Sequence, residues 1–293
     1  MIPLDFTGKV ALVTGVGDND SFAWYIAKAL RAAGARLVFA CHPRMVGIVQ
    51  SILERDADAP SRVLPFVGGE IQVEKVLPCD VSFDTMDDVD EKTRNDKRFN
   101  RHGPFAIKDM IETVGKEFGA IDILIHSVAF SPEIKNLMLN TSRSAYWTAL
   151  SVSAYSLTAL VRTALPYMEN RPDGAAVVGL TYLGGERVIP HYGGGMSTAK
   201  AALQIDAKQL ASNVGPKNVR VNLVSAGPYA SRAARAIADI EEMKKYTASR
   251  APLQRPITAE EVANATVFLC SPLASGITGQ ILYVDSGYNI MGV

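Results

Sequence analysis

The feature that most constrains the fold is a regular alternation along the whole chain. Short apolar runs rich in β-branched residues, typical of strands buried on both faces of a parallel sheet, are separated by segments with helical periodicity. This alternation predicts βαβ units, and therefore a doubly wound α/β fold of the Rossmann type with helices on both faces of a parallel sheet. The predicted strands are Val10–Val13, Arg36–Ala40, Lys75–Leu77, Ile121–Ile125, Ala175–Leu180, Val219–Val224 and Gln280–Val284.

Helical patterns fill the intervals between these strands. The alternation of strands and helices continues along the sequence with no linker and no internal repeat, so we predict a single domain over residues 1–293. Hydrophobic residues make up 48% of the sequence, which is enough for a large core. The clearest predicted helices are Ala23–Ala33, Ile107–Phe118, Ser144–Met168, Ser197–Asn213 and Ala259–Leu269.

Two segments depart from the alternation of strands and helices. Phe83–Phe105 is long, polar and charged, and is predicted to be a solvated surface insertion. Gly227–Pro256 follows the sixth predicted strand and is rich in Ala and Arg. Because ligands of doubly wound folds bind at the carboxyl ends of the strands, this second segment is predicted to be a helical lid over a substrate site. A plain pair of surface helices is the alternative.

Charge and cysteine content exclude several classes of protein. Lys plus Arg (30) balances Asp plus Glu (30), so the chain has no net field to attract nucleic acid or an anionic membrane. No apolar run reaches the roughly 20 residues needed to span a bilayer. Cys41, Cys79 and Cys270 lack metal-ligand spacing and suit a reducing compartment. We therefore predict no metal and a bacterial cytoplasmic location; an organelle stroma, after removal of a targeting segment, is the alternative.

A glycine turn follows the first predicted strand. Gly15 and Gly17 follow this strand, and a helix begins near Phe22. In such a turn the backbone approaches a pyrophosphate closely, and the amides at the start of the helix face the anion. Asn19 and Ser21 replace the other glycines of the usual dinucleotide fingerprint, so a purely structural turn is the alternative.

The ends of the second and third strands bear on the choice of cofactor. The second strand lacks the acidic residue that commonly binds the adenosine ribose of NAD, and His42 and Arg44 follow it. His42 is placed to flank an adenine and Arg44 to tolerate a 2′-phosphate, although both are equally compatible with a surface position. Asp80 is either an acceptor for the adenine amino group or a helix N-cap. NADH is preferred, with NADPH as the alternative.

The strongest chemical signal lies between the fifth strand and the next helix. Tyr182 leaves the strand, and Tyr192 stands eight residues before Lys200. A regular helix would separate Tyr192 and Lys200 by about 12 Å. The glycines at 193–195 predict an irregular start, which lets both side chains converge on one ribose. In ordinary short-chain dehydrogenases the tyrosine lies four residues before the lysine; Met196 at that position argues against a ketoacyl or alcohol reductase.

With these motifs the chain resembles the enoyl-acyl-carrier-protein reductases, a divergent branch of the short-chain dehydrogenases. The glycine run and the 83–105 insertion resemble the plant, chlamydial and apicomplexan subgroup. Two departures stand out: Phe130-Ser131 replaces the usual Asn-Gly, and His42 replaces a tryptophan of that subgroup. The resemblance covers nearly the whole chain and rests on Gly15–Asp18 with Trp24, His126–Ala129, Tyr182 with Tyr192 and Lys200, Ser225–Pro228, Ser231–Ala234, Ser271–Ala274 and Tyr283–Asp285.

The resemblance implies NADH-dependent reduction of the trans-2 double bond of enoyl thioesters, delivered by acyl-carrier protein to a homotetramer. It implies that Tyr192 donates a hydrogen bond to the thioester oxygen, that a charged Lys200 holds the ribose, and that Tyr182 lines the acyl pocket or relays a proton. A ketoacyl or alcohol reductase, or a non-catalytic NAD(P)-binding regulator, is the alternative. The predicted cofactor contacts are Gly15, Ser21, Phe22, His42, Asp80, Val81, Ser127, Val128, Lys200, Pro228, Tyr229, Ala230, Ser231, Arg232 and Ala233. The predicted pocket residues are Phe130, Tyr182, Met196, Tyr229, Ile237 and Met243, although ordinary core packing is the favoured explanation for Met196, Tyr229, Ile237 and Met243.

Overall fold

The computed structural model describes residues 4–231 and 240–292. In these residues seven parallel strands form one sheet in the order β3-β2-β1-β4-β5-β6-β7. Each predicted strand is present, with boundaries that differ from the prediction by no more than two residues. The strands are β1 (Val10–Thr14), β2 (Arg36–Cys41), β3 (Lys75–Pro78), β4 (Ile123–His126), β5 (Ala175–Thr181), β6 (Val219–Ala226) and β7 (Ile281–Val284).

Helices cover both faces of the sheet, as predicted for a doubly wound fold. Side chains of β1 alternate between two cores: Val13 packs with the helices of one face, and Leu12 packs with those of the other. In the described residues the helices are α1 (Phe22–Ala32), α2 (Val46–Glu54), α3 (Ala59–Arg62), α4 (Glu91–Arg94), α5 (Lys97–Asn100), α6 (Ile107–Phe118), α7 (Arg143–Leu150), α8 (Ser156–Met168), α9 (Met196–Val214), α10 (Ile240–Arg250) and α11 (Ala259–Cys270).

The winding of the chain reverses at β1, which lies between β2 and β4. In doubly wound sheets the crevice outside this switch point is where ligands bind. Gly15 follows β1 with φ +77°, and a Cβ there would lie 2.0 Å from the carbonyl oxygen of Ser127, which follows β4. Glycine is therefore required for the two strand ends to approach each other.

The predicted helix Ser144–Met168 is wrong as one continuous helix. A π-helical turn, Ser151–Tyr155, separates α7 from α8. Within this turn the Ser153 hydroxyl accepts from the Phe130 N–H (2.9 Å) and donates to the Phe130 carbonyl (3.2 Å). The wider turn thus anchors the loop that follows β4. Helical periodicity continues on both sides of the turn, so the sequence pattern does not reveal it.

The insertion over 83–105 is solvated on its charged side, as predicted, but it also has a core of its own. Its charged side chains are largely exposed, but Phe99 and Phe105 are buried and pack with Val89 in a small separate core. Phe99 also lies 5.2 Å from the His42 ring and 4.9 Å from the Arg44 guanidinium. The insertion is therefore docked against the turn that follows β2.

The three cysteines are all buried and unpaired. Burial raises the pKa of Cys270 to about 12 and raises the pKa of the Cys41 and Cys79 thiols further, so none is a thiolate at neutral pH. Across residues 4–231 and 240–292, no group of three or more His, Cys, Asp or Glu side chains is placed to hold a metal ion. Over the same residues no helix has the length and apolarity to cross a membrane.

Candidate active site

A cavity of about 500 Å³ opens at the carboxyl ends of the central strands. It collects most of the residues that the sequence predicted for the cofactor and the acyl chain. Those that line it are Gly15, Ser21, Phe22, Ser127, Val128, Phe130, Tyr182, Tyr192, Met196, Lys200, Pro228, Tyr229, Ser231 and Met243. His42, Asp80, Val81 and Ala230 are not among the lining residues. Arg232, Ala233 and Ile237 lie outside the described residues.

Several lining residues were missed, although each lies close in sequence to a predicted one. Ile240 is one of them. It lies on α10 together with the predicted Met243, so the segment predicted as a lid does border the cavity. Closure of that segment stays a prediction. The other missed residues, all but Ile134 within or directly beside a predicted motif or strand end, are Ala129, Ser131, Ile134, Leu180, Thr181, Ala226 and Gly227.

Local contacts order the glycine turn that follows β1. Ser21 is the N-cap of α1, and its hydroxyl accepts from the Trp24 N–H at 3.4 Å. Tyr229 donates its hydroxyl to Asp20 (2.7 Å), and its ring lies 5.1 Å from Phe22. Gly15 and the N-terminus of α1 thus border the same cavity as the Phe22–Tyr229 pair, and these residues fit a dinucleotide.

Asp80 is not the N-cap of a helix. Its carboxylate accepts from the Ser82 N–H (3.0 Å) in a turn, and no helix begins there. Burial acts to raise the pKa of Asp80, but hydrogen bonds from His42 and Ser82 outweigh it and leave the pKa below its usual range. The His42 ring nitrogen lies 3.5 Å from the carboxylate. The N-cap interpretation is therefore wrong, and adenine contact by this pair stays a prediction.

The two predicted tyrosines meet inside the cavity. The rings of Tyr182 and Tyr192 pack edge to face, with centroids 5.0 Å apart and planes at 74°. Burial raises the pKa of both phenols well above the ordinary value. Both side chains consequently remain protonated at physiological pH and act as hydrogen-bond donors rather than as phenolates.

Lys200 is a buried cation on α9, with 5% of its surface exposed. Its Nζ donates to the Leu180 carbonyl at 2.8 Å. Burial lowers the pKa of Lys200 to about 8, so the group is mostly protonated at pH 7, in agreement with the predicted charge. An ammonium has three donors, and in the described residues only Leu180 takes one of them, which leaves donors for ligand hydroxyls.

The glycine run makes the irregular start that the sequence predicted. Gly195 is left-handed, with φ +81°, and α9 begins only at Met196. Tyr192 therefore precedes the helix, and the helical spacing to Lys200 does not apply. The N–H groups of Gly193 and Gly194 donate to carbonyls of the segment Ile134–Asn136, at 3.0 Å each. This backbone pairing fixes Tyr192 against the loop that follows β4.

Gly194→Ala is expected to lower the free energy of unfolding by about 2–4 kcal/mol, which corresponds to roughly 5–10 °C in Tm. Gly194 has φ +60°, and a Cβ there would lie 2.3 Å from the Glu133 carbonyl oxygen. Gly68→Ala is the matched control: φ is +72°, but nothing lies within 4 Å. Thermal unfolding of both variants separates backbone strain from steric overlap; equal losses would contradict the close packing at Gly194.

His126, at the end of β4, is buried and neutral. The Ser156 hydroxyl donates to the Val152 carbonyl and therefore accepts from His126 Nε2, at 2.7 Å. Burial, together with the nearby charge of Lys200, lowers the pKa of His126 to about 3. The ring is consequently a structural hydrogen-bond donor between β4 and α8, and it is not an acid–base group at physiological pH.

Comparison with known proteins decides between the enzymes that such a site allows. A family model described as Enoyl-(Acyl carrier protein) reductase matches residues 102–289. The chloroplastic NADH enoyl-acyl-carrier-protein reductase 2 of Oryza sativa subsp. japonica is 46% identical over 100% of this chain and 78% of that protein. The chain belongs to the enoyl-acyl-carrier-protein reductase family. The NADH reductase of Nostoc is 38% identical over 99% of this chain and 100% of that protein.

Solved structures of family members agree with this assignment. The enoyl-acyl-carrier-protein reductase of Plasmodium berghei, crystallised with triclosan, has a TM-score of 0.92 and 37% identity, over 97% of this chain and 98% of that one. The Bacillus cereus enzyme, in complex with NADP+ and an indole naphthyridinone, has a TM-score of 0.80 and 36% identity over 100% of both chains. The resemblance inferred from the motifs is thus confirmed at the level of the family.

Proposed function

We propose that this chain reduces the trans-2 double bond of an enoyl thioester, with NADH as cofactor. The observation that carries the proposal is the meeting of Tyr182, Tyr192 and the buried cation Lys200 in one cavity with the glycine turn. Bound NADH would supply the hydride. The residues of the chain bind the two reactants, exclude water and stabilise the charge that develops.

Tyr192 is assigned to the thioester oxygen. Addition of hydride to the β-carbon moves negative charge onto the carbonyl oxygen, and a hydrogen-bond donor placed there stabilises the resulting enolate. The raised pKa of Tyr192 keeps its proton in place during this step. Tyr182 packs edge to face on Tyr192 and so orients it, while lining the acyl pocket or relaying the proton to the α-carbon.

Lys200 is assigned to the ribose of the nicotinamide. Its ammonium retains donors for ribose hydroxyls beyond the one accepted by Leu180, and its charge favours electron-rich oxygens nearby. Phe130, Met196, Tyr229 and Met243 are assigned to the apolar part of the pocket. Met196 is also packed in a small core with Ala149 and Ala199, so it has a structural role as well.

The test is the loss of absorbance at the nicotinamide band when crotonyl- or dodecenoyl-thioester is added with NADH or with NADPH. A decrease that requires both the enoyl thioester and the cofactor establishes the activity. Consumption of an acetoacetyl thioester instead would move the assignment to the ketoacyl reductases. Binding of NADH without turnover of either thioester would favour a non-catalytic regulator.

The acyl-carrier protein is proposed to dock on the exposed side of α10. Met243 of this helix lines the cavity, so the helix stands at its mouth. Lys244 is paired with Glu241 (3.1 Å), whereas Lys245 is exposed and forms no ion pair within the described residues. Carrier proteins are acidic, and an unpaired lysine at the mouth offers them a complementary charge.

Lys245→Glu is expected to raise KM for a carrier-protein thioester about tenfold, by converting attraction into repulsion across the contact. KM for the corresponding coenzyme A thioester serves as the internal reference, since that substrate makes no protein contact. Lys208→Glu, on α9, is the matched surface control. Equal changes in both KM values, or an equal change in the control, would place the docking surface elsewhere.

Self-association and location are also proposed from the family. We expect a homotetramer, and the structure leaves apolar side chains for subunit contacts: Trp147 on α7 is 59% exposed, and Leu139 is 96% exposed. Multi-angle light scattering gives the assembly mass, and a monomeric mass at micromolar concentration would contradict this proposal. The cytoplasmic or stromal location stays a prediction from the sequence.

A further inference from the structure

The end of β2 is the position where Rossmann folds distinguish NADH from NADPH, by an acid that binds the 2′-hydroxyl or an arginine that accepts the 2′-phosphate. In this chain no acid follows β2 directly; the turn Pro43–Met45 carries Arg44. The turn lies against the nucleotide loop, because a Cβ at Gly17 would be 3.7 Å from Met45 Cε. Arg44 is therefore placed to influence the adenosine side of the cofactor.

The 83–105 insertion brings a carboxylate to this arginine. Asp96, the N-cap of α5, lies 3.4 Å from the Arg44 guanidinium. One turn later Phe99 stands beneath the same guanidinium, 4.9 Å from its centre, and Phe99 is itself buried in the small core of the insertion. Arg44 is thus held by an ion pair and an aromatic face, both supplied by the insertion.

Asp96 is shared between two cations. Arg98 contacts the same carboxylate at 3.0 Å, and its backbone N–H donates to it at 2.9 Å. Hydrogen bonds from Arg98, with the charges of Arg98 and Arg44, lower the pKa of Asp96 to about 2, so the carboxylate is ionised throughout the physiological range. Two guanidinium groups therefore share one permanent negative charge beside the nucleotide loop.

We propose that Asp96 is a specificity-determining residue: it occupies Arg44 and places negative charge beside β2, so that the chain prefers NADH to NADPH. The insertion would then supply from a distance the acid that the strand end lacks. A 2′-phosphate has to displace Asp96 from Arg44 and meet its charge, whereas a 2′-hydroxyl has neither cost. This inference rests on the proposed function, because it concerns the cofactor of that reaction.

The opposite arrangement is that Arg44 and Arg98 jointly bind the 2′-phosphate. Both guanidinium groups are already engaged by Asp96, at 3.4 and 3.0 Å, so the structure favours exclusion of the phosphate over its capture. The two arrangements predict opposite preferences in the unmodified protein: NADH where Asp96 excludes the phosphate, and NADPH where the two arginines bind it.

The experiment compares direct binding of NADH and NADPH, followed by nicotinamide fluorescence without any thioester, in the full chain and in Asp96→Asn. Asparagine keeps the ability to cap α5 but removes the charge. The ratio of the NADPH to the NADH dissociation constant is expected to fall about tenfold in the variant. Addition of Arg44→Ala to Asp96→Asn is expected to abolish that gain.

Asp87→Asn is the matched control, since Asp87 is an exposed acid of the same insertion and forms no ion pair in the part of the chain that the structure describes. It is expected to leave the ratio unchanged. Tighter binding of NADPH than NADH by the unmodified chain, or an unchanged ratio in Asp96→Asn, would overturn the inference while leaving the reductase assignment intact. Failure to bind either dinucleotide would overturn both.

Discussion

Tyr192→Phe is expected to lower kcat by about 10²–10³-fold, the loss typical when one donor to a developing oxyanion is removed. The substitution deletes only the hydroxyl, so the ring still packs on Tyr182 and in the small core beside Met196. Because Tyr192 is assigned to the substrate oxygen and not to the cofactor, the dissociation constant for NADH is expected to stay within about twofold.

The comparison variant is Tyr182→Phe, which removes a phenol from the same edge-to-face pair. Its kcat is expected to fall less, since Tyr182 acts on orientation or on the later proton transfer. Single-turnover oxidation of NADH by dodecenoyl thioester measures the hydride step in both variants. A full rate in Tyr192→Phe with a large loss in Tyr182→Phe would exchange the two roles.

The sheet and the segment from Tyr182 to Lys200 were predictable because each depends on local sequence. Buried parallel strands are apolar runs, and the run at Val219–Ala226 is recognisable without knowledge of its neighbours. The glycines at 193–195 likewise predicted an irregular start of α9. What they pack against was not predictable: the carbonyls of Ile134–Asn136 lie nearly sixty residues earlier and meet the glycines only in the folded chain.

Long-range packing also explains two features that the sequence did not predict. In the π-helical turn at Ser151–Tyr155, Ser153 binds the backbone of Phe130, a partner that helical periodicity does not encode. The insertion was predicted to be solvated because of its charged residues, and these are exposed. The burial of Phe99 beneath Arg44 depends instead on contact between the insertion and the turn that follows β2. In both cases the deciding contact joins segments that are remote in sequence.

Lys200→Ala is expected to weaken NADH binding by roughly 10- to 100-fold, about 1.4–3 kcal/mol, because charge-assisted hydrogen bonds to the ribose are lost. Lys200→Met is the matched variant: it keeps an unbranched apolar side chain at this buried position and removes the charged group. Thermal unfolding checks that both variants fold. Unchanged NADH affinity in folded Lys200→Met would refute the assignment of Lys200 to the ribose.

The pH dependence of binding separates the charge of Lys200 from its shape. Burial lowers the pKa of Lys200 to about 8, and the protonated form is the one proposed to bind, so NADH affinity is expected to be highest below pH 8 and to fall as pH rises above it. Lys200→Arg keeps its charge at high pH, and Lys200→Met has none to lose; both profiles are therefore expected to be flat between pH 7 and about 9.5. Fluorescence titration of NADH at several pH values gives the three profiles. A decline shared by all three proteins would assign the titration to a group other than Lys200.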